Sequence, residues 1–99
     1  MSSHEFDAEL YLWDVHGGTW VFLNLPEDLT DEIDDGLREP RSGFGSVRVE
    51  VSVGSSTWRT SVFPSKKEAT YVLPVKKAVR RAEGLDVGDV VRVALRVLE

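Results

Sequence analysis

Apolar and polar positions alternate with two different periods along the chain. Phe6, Ala8, Leu10 and Leu12 alternate with Asp7, Glu9, Tyr11 and Trp13. This period of two predicts a strand whose polar face ends in two aromatics. His16-Gly17-Gly18 predicts a hairpin turn, because paired glycines supply positive φ. Thr19 to Leu25 predicts a second strand, apolar on both faces and so covered on both. Pro26 then opens a helix through about Leu37. Leu29, Ile33 and Leu37 form its buried stripe, and Glu27, Asp28, Asp31, Glu32, Asp34 and Asp35 fill the rest. Acids near the start of a helix suit its dipole; Asp34 and Asp35 near the end do not. Arg38 to Ser46 reads as a loop.

Strict alternation returns at Val47, Val49, Val51 and Val53. Gly54-Ser55-Ser56 turns that strand into another over Trp58–Phe63, and Pro64 to Glu68 reads as an exposed connection to a short strand at Tyr71. Pro74 is placed to open a second helix, since its fixed φ suits a first turn. Val75, Ala78, Val79 and Ala82 make the apolar face of that helix. Lys76 with Arg80, and Lys77 with Arg81, form two rows on its other side. Gly84 stands where a helix end favours a left-handed residue, and Leu85 can fold back on Val79. Asp86-Val87-Gly88-Asp89 is turn chemistry. Val91, Val93, Leu95 and Val97 then alternate with Arg92, Ala94 and Arg96 as a last strand.

The two helices carry an internal echo. Leu25-Pro26 followed by Gly36-Leu37 recurs as Leu73-Pro74 followed by Gly84-Leu85, with an offset of 48 at all four positions. Each copy is strand, strand, helix, strand. A duplicated ββαβ half closing on itself hides sheet edges. The expected fold is mostly β: a small six-stranded barrel of two such halves, capped by one acidic and one basic helix, in a single domain over 1–99.

Ninety-nine residues suffice for one core without staples. The absence of cysteine removes disulfides, thiolate nucleophiles and Cys-based zinc sites, and is compatible with the cytoplasm, the expected location. Met1 to Asp7 has no apolar core of a signal peptide, and no apolar run approaches the ~20 residues of a membrane span. The net charge of −5 hides an asymmetry: residues 1–50 carry −9 and residues 51–99 carry +4. A cationic partner, an anionic partner and attraction between the two halves are all open.

The runs F-x-A-x-L, L-P, G-S-V-x-V-x-V, W-R-T-S-V-F-P and L-P-V-K-K-A-V-R-R-A-E-G-L-x-V-G-D-x-V span Phe6 to Val97. In these the chain resembles the bacterial domain-of-unknown-function family nineteen-oh-five. Its C-terminal part is also similar to the swapped-hairpin regulators and antitoxins of the AbrB and MazE kind. The resemblance implies a double-split β-barrel related to those regulators, and it brings no activity and no catalytic residues. The regulators are dimers of short chains. A chain with the elements of two halves is expected to be a monomeric pseudo-dimer, and one acidic helix argues against symmetric DNA binding.

Two surfaces could carry function. The basic face of Lys76, Lys77, Arg80 and Arg81, with Arg59 and Lys66-Lys67 nearby in the expected fold, has the chemistry to contact phosphates. Arg80 and Arg81 are equally explained as cations stabilising a helix end. Tyr11, Trp13, Trp20, Phe22 and Trp58 are many aromatics for a small barrel. Such residues usually fill the core, but some can line a ligand or partner site, and Trp13 on its polar face is the first candidate. Gly43-Phe44-Gly45 precedes a strand and so is not a dinucleotide fingerprint. The acids over 27–35 lack the spacing of a calcium loop. His4 and His16 belong to no triad pattern, and no nucleophile elbow is present. No catalysis, cofactor or metal is expected. The expected role is a binding or accessory module for a protein partner or small ligand, acting through the aromatic strand face and the acidic helix, with nucleic-acid binding through residues 75–83 as the alternative.

Overall fold

The computed structural model describes residues 3–15, 18–36 and 45–98. They form seven strands and two helices: β1 (Ser3–Glu9), β2 (Tyr11–Val15), β3 (Gly18–Asn24), α1 (Glu27–Gly36), β4 (Val47–Val53), β5 (Ser56–Ser65), β6 (Thr70–Pro74), α2 (Lys77–Glu83) and β7 (Val90–Val97). The expected turn at His16-Gly17, the end of the first helix at Leu37, most of the loop from Arg38 to Ser46 and the Gly43-Phe44 motif lie outside the described residues.

The strands make one curled sheet in the order β1-β7-β4-β5-β6-β3-β2, antiparallel at every described pair. The pairing is reciprocal between the first and second halves of the chain. First-half β1 pairs with β7, the last strand of the second half; β5 pairs in the same way with β4. The two halves also meet directly in β3–β6 and β4–β7. Antiparallel strands related by a two-fold must set equivalent residues opposite each other. The 48-residue offset does so twice, at Asn24 opposite Val72 and at Val49 opposite Val97.

Six strands were expected and seven form, because the first one breaks. β1 and β2 stand at the two ends of the sheet order, yet they are consecutive in sequence and separated only by Leu10. The 86–89 turn holds that break. Leu10 N–H donates to Asp89 O at 2.9 Å, and Gly88 N–H donates to Leu10 O at 2.8 Å. The turn itself is closed by Asp89 N–H to Asp86 O and by Asp86 N–H to the Asp89 carboxylate. The alternation read for residues 6–13 loses its burial at the break: Phe6 and Leu10 are buried, but Leu12 is 54% exposed and Trp13 half-buried.

The core draws on both halves. Val47, Val49, Val51 and Val53 face Val91, Val93 and Leu95, with Val21, Leu23, Leu25, Tyr71, Leu73 and Val75 from the other strands. Helix α1 adds Leu29 and Ile33. Its first turn is satisfied by Thr30 N–H to Pro26 O and by Leu29 N–H to the Asp28 carboxylate. Thr30 also bonds Thr70 by its hydroxyl, and Tyr71 donates its hydroxyl to Asp34 at 2.7 Å. An acid near the end of α1, unfavourable for the dipole, thus serves as the acceptor that ties the helix to β6.

Helix α2 is held differently. Pro74 closes β6 rather than opening the helix, and Val75 donates its N–H to Val21 O at 2.9 Å. Sheet bonding therefore extends through Val75, and the helix starts at Lys77. The apolar face expected of Val75, Ala78, Val79 and Ala82 does not form: Val75 is buried from the sheet, Val79 is half-buried, and Ala78 and Ala82 are exposed. No residue of α2 is buried. Its end is as expected, with Gly84 left-handed at φ 66° and Leu85 N–H bonded to Arg80 O. Glu83 ties the helix to the β4–β5 hairpin, accepting hydrogen bonds from the Ser55 and Ser56 hydroxyls at 3.1 and 2.6 Å. The Ser56 bond, with help from Ser55, holds the Glu83 carboxyl below the usual carboxylate range.

Strand β5 also runs beyond the expected Phe63, through Pro64 to Ser65. Its bonding to β4 ends at Val62 and its bonding to β6 begins at Phe63. Pro64, which lacks a donor, sits where β5 has one neighbour instead of two.

Because Leu10 is fully buried at the break between β1 and β2, Leu10→Ala is expected to destabilise the protein by about 2–5 kcal/mol. Chemical denaturation measures this, and a loss below ~1 kcal/mol would contradict the role given to the break.

Candidate functional site

Strand β3 is apolar on both faces, but the expected cover is complete on only one: on the other, Phe22 is buried and Trp20 is 54% exposed. Val21, Leu23 and Leu25 enter the core. Trp20, Phe22 and Asn24 point the other way. Across β2–β3, Trp13 lies opposite Trp20 and Tyr11 opposite Phe22. Across β3–β6, Phe22 lies opposite Pro74 and Asn24 opposite Val72; across β5–β6, Phe63 lies opposite Val72. The outer face of β2-β3-β6-β5 is therefore a second apolar surface.

Phe22 is its centre. Trp13 packs against it at 5.2 Å between ring centroids, Trp20 at 6.2 Å and Tyr11 at 6.4 Å. Phe22 and Val72 are buried, though neither belongs to the main core cluster. Trp20 and Phe63 remain 54% and 38% exposed. Trp13, Trp20, Phe22, Phe63, Val72 and Pro74, with Pro64 and Ser65, line a groove of about 390 Å³.

The groove is electrically uneven along its length. β3 and β6 run antiparallel and each leads into a helix, so acidic α1 and basic α2 leave from opposite ends of the pair. At the α2 end a second groove of about 500 Å³ shares Trp20 and Pro74 with the first, and adds Val21, Val75, Lys76, Lys77 and Arg80. Arg80 donates Nε–H to Val75 O at 3.2 Å, which anchors its guanidinium there. At the other end Tyr11 donates its hydroxyl to Asn24 Oδ1 at 2.6 Å, and Asn24 donates Nδ2–H to Glu68 at 2.8 Å. Burial, and then the Glu68 carboxylate, push the Tyr11 phenol up to about 12. Asp7, Glu9, Tyr11 and Asn24 line a further groove on that side.

The residues singled out from sequence fall in separate places. Lys76, Lys77 and Arg80 come together beside Trp20. Arg81 joins Lys77 and Arg80 around Gly84 and Asp86 in an adjoining depression. Arg59 lines neither; its Nε lies 3.4 Å from Glu50 Oε2. Lys66 and Lys67 are exposed in the turn before β6 and line neither. Trp13 belongs to the apolar groove, half-buried rather than projecting. Trp58 packs against the main core. Phe63, Pro64, Val72 and Pro74 escaped the sequence reading. The signal was Phe63-Pro64, apolar residues that break the alternation after Val62.

The charge asymmetry is partly spent inside the molecule. Arg92 pairs with Asp7 and Glu5, and Arg59 and Arg96 both pair with Glu50. Each pair joins an acid of the first half to a base of the second. Hydrogen bonds from Arg96 and then Arg59 hold the Glu50 carboxyl below its usual range. No ion pair joins Lys76, Lys77, Arg80 or Arg81 to a described carboxylate. Among the described residues no three His, Asp or Glu side chains converge as a metal site; His4 Nδ1 lies 3.7 Å from Glu32 Oε2.

A family model described as Domain of unknown function (DUF1905) matches residues 6–95. No curated protein matches the chain.

Two measurements test the geometry of this face. Phe22→Ala is expected to cost about 3–5 kcal/mol of stability, whereas Trp20→Ser, at an exposed position, is expected to stay within about 1 kcal/mol of the parent. Equal losses in thermal and chemical unfolding would contradict the separation of centre from rim. The phenol of Tyr11 is raised from 10.0 to about 12 on folding. The stabilisation from its neutral form is therefore complete below pH 10 and lost as pH rises through about 12. A spectrophotometric titration should show a phenolate transition near pH 12 that is absent in Tyr11→Phe.

Proposed function

Because the chain belongs to the DUF1905 family, whose description names no activity, we propose its role from its surface: a non-catalytic binding or accessory module that holds a protein partner or a small ligand on the outer face of β2-β3-β6-β5. The observation that carries this reading is the groove built on Phe22, with Trp20 and Phe63 open to solvent at its rim. A fold that needed those rings only for packing would have them inside, as it has Val21 and Leu23. The sequence supports the absence of catalysis, offering two histidines and no spaced nucleophile motif.

The same reading takes the sheet as a double-split barrel of two ββαβ halves. Its support is the reciprocal pairing of β1 with β7 and β5 with β4, and the adjacency of β1 and β2 at Leu10. Two halves in one chain favour a monomer. Neither described helix is long and apolar enough to cross a membrane, and the cytoplasm, compatible with a cysteine-free chain, is the location we propose.

A second reading, nucleic-acid binding, rests on the four cations of α2 and its approach, none of which is paired with a described carboxylate. One titration separates the two. Labelled duplex DNA and single-stranded RNA are titrated with the protein over a range of salt. A phosphate interface through Lys76, Lys77, Arg80 and Arg81 would give a log–log salt slope near about −3.6 on duplex DNA and be lost on charge reversal of the helix. The binding-module reading expects no binding at physiological salt. It also expects aromatic fragments to perturb the indole signals of Trp13 and Trp20 and to lose binding in Trp13→Ala; fragment binding confined to other faces would overturn it.

A further inference from the structure

Building on the outer face as a binding surface, we infer that its occupant is a small molecule made of a flat apolar ring system with a single anionic group. Three features specify that chemistry. The groove volume of about 390 Å³ suits a small ligand. Its lining is almost wholly rings and aliphatic carbon, with Trp13 and Trp20 set opposite each other across β2–β3 and Phe22 beside both. A planar ring laid there meets aromatic faces in offset or tilted contact.

The anionic group follows from what adjoins the rings. Trp20 and Pro74 belong both to the apolar groove and to the one lined by Lys76, Lys77 and Arg80. A ring seated against Trp20 therefore lies next to the groove that those cations line. Lys76 and Lys77 are exposed, and neither is paired with a described carboxylate. Arg80 is oriented by its bond to Val75 O. A carboxylate or phosphate on the ligand would meet them without displacing a described carboxylate.

The far end limits the ligand to one such group. There the phenol of Tyr11 is neutral and bonded to Asn24, which is bonded to the Glu68 carboxylate. Asp7 and Glu9 line the surface beyond. A long polyanion following the groove would run from cations into carboxylates, and like charges there oppose it. A short ligand with its charge at one end meets only the favourable part.

The test uses the whole chain, with 2-naphthoate as the charged probe and 2-naphthamide as its neutral counterpart. Indole N–H signals are followed by nuclear magnetic resonance, with Trp13→Phe and Trp20→Phe to assign them. Naphthoate is expected to shift the Trp13 and Trp20 signals and leave that of Trp58. It is expected to bind about fivefold or more tightly than the amide at low salt. The K76E/K77E double variant should remove that preference without weakening the amide. Equal binding of the two probes to the parent protein would overturn the charge selection and leave the outer-face reading standing. Failure of both probes to move the Trp13 and Trp20 signals would overturn both. An oligothymidylate that moves the same signals and binds more tightly than naphthoate would overturn the restriction to one anionic group. The parent-protein comparison needs no variant to fold.

Discussion

The antiparallel pairing of β3 with β6 is the constraint on which the rest of the molecule depends. Each strand sends alternate residues into the core, and each ends in a Leu-Pro step that leads to a helix. Pairing them head to tail sends the two helices off opposite ends. It also places Phe22, Pro74, Asn24 and Val72 side by side on the outer face. The position of the helices and the existence of the aromatic groove follow from the same ladder of hydrogen bonds.

The two helices leave opposite ends of the β3–β6 pair and have different attachments. Helix α1 contributes Leu29 and Ile33 to the core and is stitched to β6 through Thr30, Thr70, Asp34 and Tyr71. Helix α2 has no fully buried residue, packs only half-buried Val79 against the core, and is tethered by its left-handed Gly84 end and by Glu83 on the β4–β5 hairpin. Burial rather than propensity stabilises most protein helices, so α2 depends on these polar tethers. The arrangement leaves Lys77 and Arg80, with Lys76 just before the helix, beside Trp20. Elsewhere the opposite charges of the two halves neutralise one another in pairs across β1–β7, β4–β5 and β4–β7.

Much of the fold was legible in the chain. The alternating valines of β4 and β7, the Gly54-Ser55 hairpin, the left-handed Gly84 and the 86–89 turn all form as their chemistry dictates. Residues 48 apart lie opposite each other at Asn24 and Val72 and at Val49 and Val97. Errors fell where a local rule met a long-range bond. Pro74 suits a helix start, but Val75 bonds to Val21 and keeps the segment in the sheet. The alternation over residues 6–13 is unbroken in sequence, but the 86–89 turn takes both backbone groups of Leu10.

By itself, then, the sequence determined which residues alternate, where the chain turns and which segments are helical, because these depend on neighbours a few positions away. It also determined the charge of each helix. Only the tertiary structure decided what covers the second face of β3, why Leu12 is open while Phe22 is buried, and that Trp20 stands beside Lys76, Lys77 and Arg80. Periodicity states that a face is apolar; it does not state which strand will lie beside it. That choice is made by hydrogen-bond partners some fifty or more residues distant, Val75 for Val21 and Asp89 for Leu10, and those partners set the shape of the groove.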